Sequence, residues 1–361
     1  MENLKKVLLR IPKDANNSIS SFPFLHFLKS VLGSETQFHV IIDEDTEDLF
    51  NLLPFEVSSY VLPKDKNNLR GVHHFSCNLH DVFNVDYFFD FENTAKSNLM
   101  GWTFKCKERY GISRGVSKFL LNKRITLKEP NTSLEELGFS YLEELTGQNF
   151  KGKKIRADKI TLAEEDFLFD ELIEQGEEAF EKTLSERELK IKAIEKGLGK
   201  DPYILCLINV DELKRFDKDF WVQILRTFEN VNFRTCIIGS TFSSTDQEMY
   251  TQFFQSFSSK KFNSPLFCEN YSDITGLLKG SKGVITNEWT AGSISSYFGV
   301  DSFVLPVDNS IIFPKTKYFT ISPRYIVMND GLPQTVIHSD EEKKISGFSE
   351  LVDFIHKTWV L

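Results

Sequence analysis

"YSDITGLLKGSKGVITNEWTAGSISSYFGVDSFVL", residues 271–305, is the stretch that decides the fold. It opens with a helical segment (272–281) for which Ser272 is the expected N-cap. The apolar run 283–288 reads as a buried strand, and the small-residue segment 291–299 as a helix closed by Gly299. "SFVLP" (302–306) reads as the next strand and the last one of its sheet. Helices and strands alternating in this way indicate a parallel α/β sheet. The turn between residues 286 and 291 carries the chemical interest. A helix start offers N–H groups without intrahelical partners and the positive end of the helix dipole, a combination that suits phosphate. This turn, however, carries Glu288 and Trp289 where a phosphate-binding turn usually has glycine.

The same alternation extends outward. Toward the N-terminus from this stretch, strands are expected at 202–210, 233–240 and 265–270, with helices at 217–230 and 245–259. At the start of the chain, strands at 5–12, 37–45, 57–63 and 85–93 alternate with helices at 18–33, 46–54 and 95–111. Residues 112–160 lose the rhythm except for a leucine-spaced helix at 134–147. Residues 163–199 are highly charged and read as a solvated helical connection. The tail, 347–361, has the pattern of an amphipathic helix. A length of 361 residues suits two domains of about 150–200 residues each. The expected division is an N-terminal α/β domain (1–165), a charged helical linker (166–200), a C-terminal α/β domain (201–340) and a closing helix (345–361) packed back on the N-terminal domain.

A net charge of -9 argues against a general nucleic-acid binder, which needs a basic footprint. No run of about 18 apolar residues is present to span a bilayer, and the opening apolar run is too short for a signal peptide. The five cysteines are scattered without CxxC spacing, which points away from zinc sites and disulfide frameworks and toward a reducing cytoplasm. Membrane contact is then expected to be peripheral. Against this acidic background Lys96, Lys105, Lys107, Arg109, Arg114, Lys118, Lys123 and Arg124 form a basic run. It reads either as a phosphate-recognising surface, for which arginine geometry is suited, or as a solvated face. His73, His74 and His80 lie close in sequence without metal spacing and read as a loop.

Three motifs in chain order resemble the ADP-heptose:lipopolysaccharide heptosyltransferases, glycosyltransferase family 9. "VLLRIPKDANNSISSFPFLHFLKS" resembles the family's opening strand followed by G-D-x-[LIV]-x-x-x-P-x-L. "VDYFFDFENTAKSNLMGWTFKCKERYGI" resembles its Y-D-x-[LIV]-[LIV]-D-[LF] segment. "GVITNEWTAGSISSYFGVDSFVL" resembles its strand followed by D-[TS]-G-x-x-H-x-A-x-x-x-G-x-P. The resemblance implies a GT-B fold, two Rossmann-like domains with parallel sheets facing across a cleft. It further implies inverting, metal-independent transfer with no cofactor. The co-substrate would be a nucleotide-sugar, ADP-heptose or similar, held by the C-terminal domain. The acceptor would be an acidic glycolipid or saccharide, lipopolysaccharide core or a related surface glycan, at the cytoplasmic face of the inner membrane.

Carried over residue by residue, the resemblance is altered at its chemical positions. Aligned on Pro23, the family's Gly-Asp becomes Asn16-Asn17. That aspartate is implied as the base that removes the acceptor hydroxyl proton, which an asparagine amide cannot do. Asp14, three residues earlier, is the substitute base, or else only caps the turn. Aligned on Gly299, Asp-Thr-Gly becomes Glu288-Trp289-Thr290 and the histidine becomes Ser293. The N–H groups of Thr290, Ala291 and Gly292 would meet a diphosphate, with hydroxyl help from Thr290 or Ser293. Glu288 would hold sugar hydroxyls, while Trp289 would stack on base or sugar, or fill space. Aligned on Trp221, Lys214 takes the place of the family's phosphate-binding lysine, where a cation offsets charge on the leaving diphosphate; Asn209 belongs to the same loop. Gly239, Ser240 and Thr241 match the loop beside the nucleotide. On the acceptor side stand Lys96, Arg109, Arg114 and Lys118. Two functions stay open: a glycosyltransferase, and a catalytically degenerate GT-B protein that binds a nucleotide-sugar or glycan without turnover. A nucleotide-sugar enzyme such as an epimerase is a third.

Overall fold

The computed structural model describes residues 4–12, 15–43, 46–79, 82, 84–112, 119–126, 133–150, 153–155, 203–209, 233–238, 266–268, 271–278, 281–307, 319, 321–329, 332–338 and 341–359. The chain divides into two compact units, Met1–Ile155 and Arg156–Leu361. The expected linker, 166–200, and the expected helices at 217–230 and 245–259 lie outside the described residues.

In unit 1 the described strands are β1 (Lys6–Arg10), β2 (Gln37–Ile42), β3 (Val57–Val61), β4 (Tyr87–Asp90), β5 (Glu108–Ile112) and β6 (Lys123–Ile125). They form one sheet in the order β3-β2-β1-β4-β5-β6, with every pairing parallel. This is the doubly wound arrangement, in which the direction of winding reverses between the first and fourth strands. Val7, Leu8 and Leu9 of β1 are wholly buried, as expected for a central strand covered on both faces. The segment expected as one helix at 18–33 is two, α1 (Ala15–Ser20) and α2 (Phe22–Leu32). Pro23 explains the break, since it has no N–H and is tolerated in a first helical turn but not inside a helix.

Two further departures have local causes. The helix expected at 95–111 stops at Thr103, giving α4 (Ala95–Thr103), and the chain re-emerges as β5. Buried Phe104 and Cys106 tie the turn to the core around left-handed Lys105 (φ 54°). The loop expected around the histidines is in part helix α3 (Leu69–Asn78), which includes His73 and His74. Asn68 caps it by accepting a hydrogen bond from the Gly71 N–H at 2.9 Å, and Val72, Phe75 and Ser76 supply its buried face. Helix α5 (Leu134–Thr146) is as expected, with a Ser133–Glu136 capping box and Gly147 in the left-handed conformation at its end.

Unit 2 repeats the winding. Its described strands are β7 (Tyr203–Asn209), β8 (Phe233–Ile238), β9 (Leu266–Cys268), β10 (Ser281–Thr286), β11 (Ser302–Val307), β12 (Arg324–Asn329), β13 (Leu332–His338) and β14 (Glu341–Lys344). Their order is β14-β13-β12-β11-β10-β7-β8-β9. Strands β7 to β12 pair in parallel, and β13 and β14 add an antiparallel edge. The strand at 302–306 is therefore not the last of the sheet. Helix α6 (Tyr271–Leu278) precedes β10, and helix α7 (Trp289–Tyr297) follows it.

The closing helix, α8 (Phe348–Trp359), is expected from sequence on the N-terminal unit; its described anchors are in unit 2. The Trp359 ring meets Phe303 of β11 edge-on at 5.2 Å, and its Nε1 donates to Asp301 at 3.0 Å. A side chain on Gly283 of β10 would run into the same indole. The glycine makes room for a ring that the amphipathic pattern alone could not assign to a sheet.

Candidate functional site

In unit 2 the reversal of winding falls between β7 and β10, the place where doubly wound sheets take ligands, beyond the C-terminal strand ends. The chain leaves β10 at Thr286, passes Asn287 and Glu288, and enters α7. Thr286 Oγ1 accepts from the Glu288 N–H at 3.0 Å, which fixes the turn. Glu288 occupies the N-cap position, but its carboxylate does not cap the helix. Instead Tyr271, at the start of α6, donates its phenolic hydrogen to Glu288 Oε1. The result is a 9% exposed carboxylate held at the positive end of a helix, where negative charge is favoured.

The other residues of the turn are placed as follows. Trp289 is half-buried, and its ring lies 5.6 Å from that of Tyr325 on β12, packed against the buried pair of Val304 and Tyr325. Thr290, Ala291 and Ser293 are buried in the first turns. The Gly292 N–H closes the first intrahelical bond, to the Glu288 carbonyl at 3.2 Å. A Cβ on Gly292 would lie 2.6 Å from Val304 Cγ2, so the glycine seats α7 on β11. Helix geometry puts the N–H groups of Trp289, Thr290 and Ala291 in the first turn, at the positive end of the helix dipole.

Asn209 is the last residue of β7 and pairs in register with Ile238 of β8, so its backbone lies at the same sheet end. Asn17 lies in α1. Asp14, Lys214, Gly239, Ser240, Thr241, Arg114 and Lys118 lie outside the described residues.

The basic run divides in the structure. Arg109 donates from Nε to the Leu120 carbonyl at 2.7 Å and from Nη1 to the Cys106 carbonyl at 2.6 Å. It thereby ties β5 to its surroundings. Lys107 pairs with Asp86 at 2.6 Å, while Lys96 reaches Asn67 Oδ1 at 2.7 Å from the start of α4.

One cluster was not anticipated from sequence. In unit 1 the winding reverses between β1 and β4, whose last residues, Arg10 and Asp90, are register partners. Both are fully buried. Arg10 donates to Glu92 Oε2 at 2.6 Å, to both oxygens of Asp43 at 2.9 and 3.0 Å, and to the Ile41 carbonyl at 3.3 Å. Asp90 accepts from the Glu92 and Asn93 N–H groups at 3.0 and 2.9 Å and from the Ser97 hydroxyl at 2.6 Å. Burial pushes the Asp90 carboxyl up to about 7, although hydrogen bonds from Ser97 and Asn93 pull it down. Asn93, left-handed at φ 56°, accepts from the Ile112 N–H at 2.7 Å. The carboxylates of Asp43 and Glu92 remain partly accessible, at 15% and 17%. An arginine inside an apolar run was the available signal, since a buried guanidinium requires acceptors.

No protein-family model matches the chain, and no curated protein matches it in sequence. Solved structures do match in fold. A glycosyltransferase family 9 protein from Veillonella parvula superposes with a TM-score of 0.62 at 15% identity, over 90% of this chain and 85% of that one. The E. coli heptosyltransferase WaaC, solved with ADP, gives a TM-score of 0.62 at 10% identity, over 98% and 97%. E. coli ADP-heptose lps heptosyltransferase II gives 0.56 at 14% identity, over 90% and 91%. With its two doubly wound units in sequence, the chain has the α/β GT-B fold of these heptosyltransferases.

Proposed function

We propose that the protein is a glycosyltransferase that moves a sugar from a nucleotide-activated donor to an acidic saccharide or glycolipid. The observation that carries this reading is the turn after β10. A buried carboxylate, Glu288, is fixed by Tyr271 beside a helix start at the winding reversal of unit 2. In this role the N–H groups of the first turn of α7 face the donor diphosphate, and Glu288 binds hydroxyls of the donor sugar. The fold it shares with a heptosyltransferase solved with ADP supports a nucleotide-sugar as the donor class. Lys214 stabilises the leaving diphosphate, and Asn209, Gly239, Ser240 and Thr241 surround the nucleotide. Lys96, Arg114 and Lys118 face the acceptor; Arg109, already engaged with two carbonyls, orders that surface. The base is Asp14, since Asn17 cannot take a proton. ADP-heptose is the first donor to test, and lipopolysaccharide core the first acceptor, at the inner face of the cytoplasmic membrane.

A second reading rests on Asn16-Asn17 and on Ser293. A protein that keeps the fold but lacks the base binds the donor without turnover. Calorimetric titration with a panel of nucleotide-sugars, followed by transfer assays on each binder, separates the two. Binding with turnover that Asp14→Asn abolishes supports the transferase. Binding without turnover for any acceptor supports the second reading.

A further inference from the structure

We propose that the outer face of α3 and α4 in unit 1 docks on an anionic lipid bilayer. Two observations meet there. The first is exposed apolar surface on helices whose other sides are in the core. Val72 and Phe75 of α3 and Met100 of α4 pack into one cluster under the pair, yet Leu69 and Trp102 are each 55% exposed. Leu99 is half-buried one turn before Trp102. A tryptophan half out of a helix is suited to the polar–apolar boundary of a membrane, where its ring is buried and its N–H stays wet.

The second observation is charge. In a chain of net charge -9, residues 64–79 and 95–107 carry Lys64, Lys66, Arg70, Lys96, Lys105 and Lys107, with Asp65 as their one acid. Lys107 pairs with Asp86, outside these segments; Lys66 and Arg70 lie within three residues of Leu69 in sequence, and Lys105 within three of Trp102. Two contacts bring them together. Lys96 Nζ bonds to Asn67, two residues from Leu69, at 2.7 Å. His73 Nδ1 of α3 lies 3.2 Å from Thr103 Oγ1, next to Trp102. The helices therefore run side by side, with Leu69 and Lys96 at one end and Trp102 and Lys105 at the other.

An apolar strip bordered by cations on an acidic protein selects a partner with apolar depth beneath a negative surface. A bilayer containing anionic lipid has both. A neutral apolar partner would leave the lysines unused, and a dissolved polyanion would leave Trp102 and Leu69 in water. No described helix is long and apolar enough to cross a membrane, so the contact lies in the interface plane. The inference extends the membrane location proposed above and shares Lys96 with its acceptor side, but vesicle binding needs neither donor nor acceptor, so either reading can fail while the other stands.

The test is co-sedimentation of the full chain with phosphatidylglycerol–phosphatidylcholine vesicles and with pure phosphatidylcholine vesicles, at low and high salt. Binding to the anionic vesicles is expected, weakened by salt, with little to the neutral ones. Trp102→Ala and Leu69→Ser are expected to lower the partition coefficient severalfold. Each of Lys66→Gln and Lys96→Gln is expected to lower it by about five-fold. Thermal melts of the variants verify folding, and Lys282→Gln, on the exposed start of β10 in unit 2, serves as a remote control. Equal binding to both vesicle types, no binding, or binding unchanged in the four variants overturns the proposal. So does concentration-dependent self-association that Trp102→Ala abolishes in a chain that ignores vesicles, which would make the strip an interface between copies.

Discussion

Tyr271 and Glu288 are joined across the turn after β10, the phenol of one donating to the carboxylate of the other. Tyr271 opens α6 and Glu288 precedes α7, 17 positions apart, so the bond sets where Glu288 points as well as what it touches. A carboxylate fixed in this way is prepared to meet hydroxyl groups without first losing side-chain entropy. Glu288→Gln is expected to weaken binding of a nucleotide-sugar by at least about ten-fold, the scale of a charge-assisted hydrogen bond. Binding of the free nucleotide should change little. Tyr271→Phe should show the same selectivity with a smaller loss. Parallel titrations with ADP and an ADP-sugar measure both.

Gly292 tests whether the small residues of α7 serve packing. A methyl at this position would meet Val304 Cγ2 at 2.6 Å. Gly292→Ala is therefore expected to destabilise unit 2 by about 1–3 kcal/mol through overpacking. Val304→Ala in the same chain should recover much of that loss. Denaturant unfolding of the two single variants and the double variant gives the coupling directly.

Trp289 is expected to matter for stability. Its half-buried ring leans on Tyr325 at 5.6 Å. Trp289→Ala should cost about 2 kcal/mol, less than the full penalty for a wholly buried tryptophan. Trp289→Phe should retain most of the packing. If Trp289→Phe instead abolished donor binding at unchanged stability, the ring would have a ligand role as well.

Glu135 predicts a pH dependence. It lies in the first turn of α5, 2% exposed, and neither carboxyl oxygen has a hydrogen-bond partner among the described residues. Burial, with a contribution from the charge of Glu136, raises its pKa well above the ordinary 4.5. The folded state thus holds this proton more tightly than the unfolded chain. Its contribution to stability is fully present below pH 4.5 and is lost as pH rises above that value. Asp90 acts in the same direction between its ordinary 3.8 and about 7. Glu135→Gln should flatten the fall in stability from pH 5 to 8, leaving the part due to Asp90. A stability profile unchanged by the substitution would refute the assignment.

Arg10 holds unit 1 at its winding reversal. Removing a buried guanidinium would strand Asp43 and Glu92, and Arg10→Ala should cost about 3–5 kcal/mol. Arg10→Lys should recover only part of this, because an ammonium cannot serve Glu92, Asp43 and the Ile41 carbonyl in one plane. Denaturant unfolding of the full chain measures both.

Much of this architecture was legible in the sequence, for identifiable reasons. Buried parallel strands such as Val7–Leu9 and Leu205–Ile208 are continuous apolar runs, and helix ends at Ser133 and Gly147 carry their own signals. The strands β12 to β14 were not legible. Glu341–Lys344 is exposed at all four positions on the sheet edge, and a charged edge strand carries no apolar pattern. Missing those strands also hid the packing of Trp289, because its neighbour Tyr325 belongs to β12. The turn from 286 to 291 was legible as a strand-to-helix connection, but the arrangement of side chains around this candidate site was not. The Tyr271–Glu288 bond and the Arg10 cluster depend on which strands become neighbours, and no local signal carries that information.

The most direct test of the donor-site assignment is calorimetric titration of the full chain with ADP-sugars, set against Glu288→Gln. Saturable binding of one donor, with a Kd between about 1 μM and 1 mM as is usual for enzyme substrates, is the expected result. It should weaken at least about ten-fold in the variant, at unchanged melting temperature. Absence of binding to every nucleotide-sugar offered, or binding indifferent to Glu288, would contradict it.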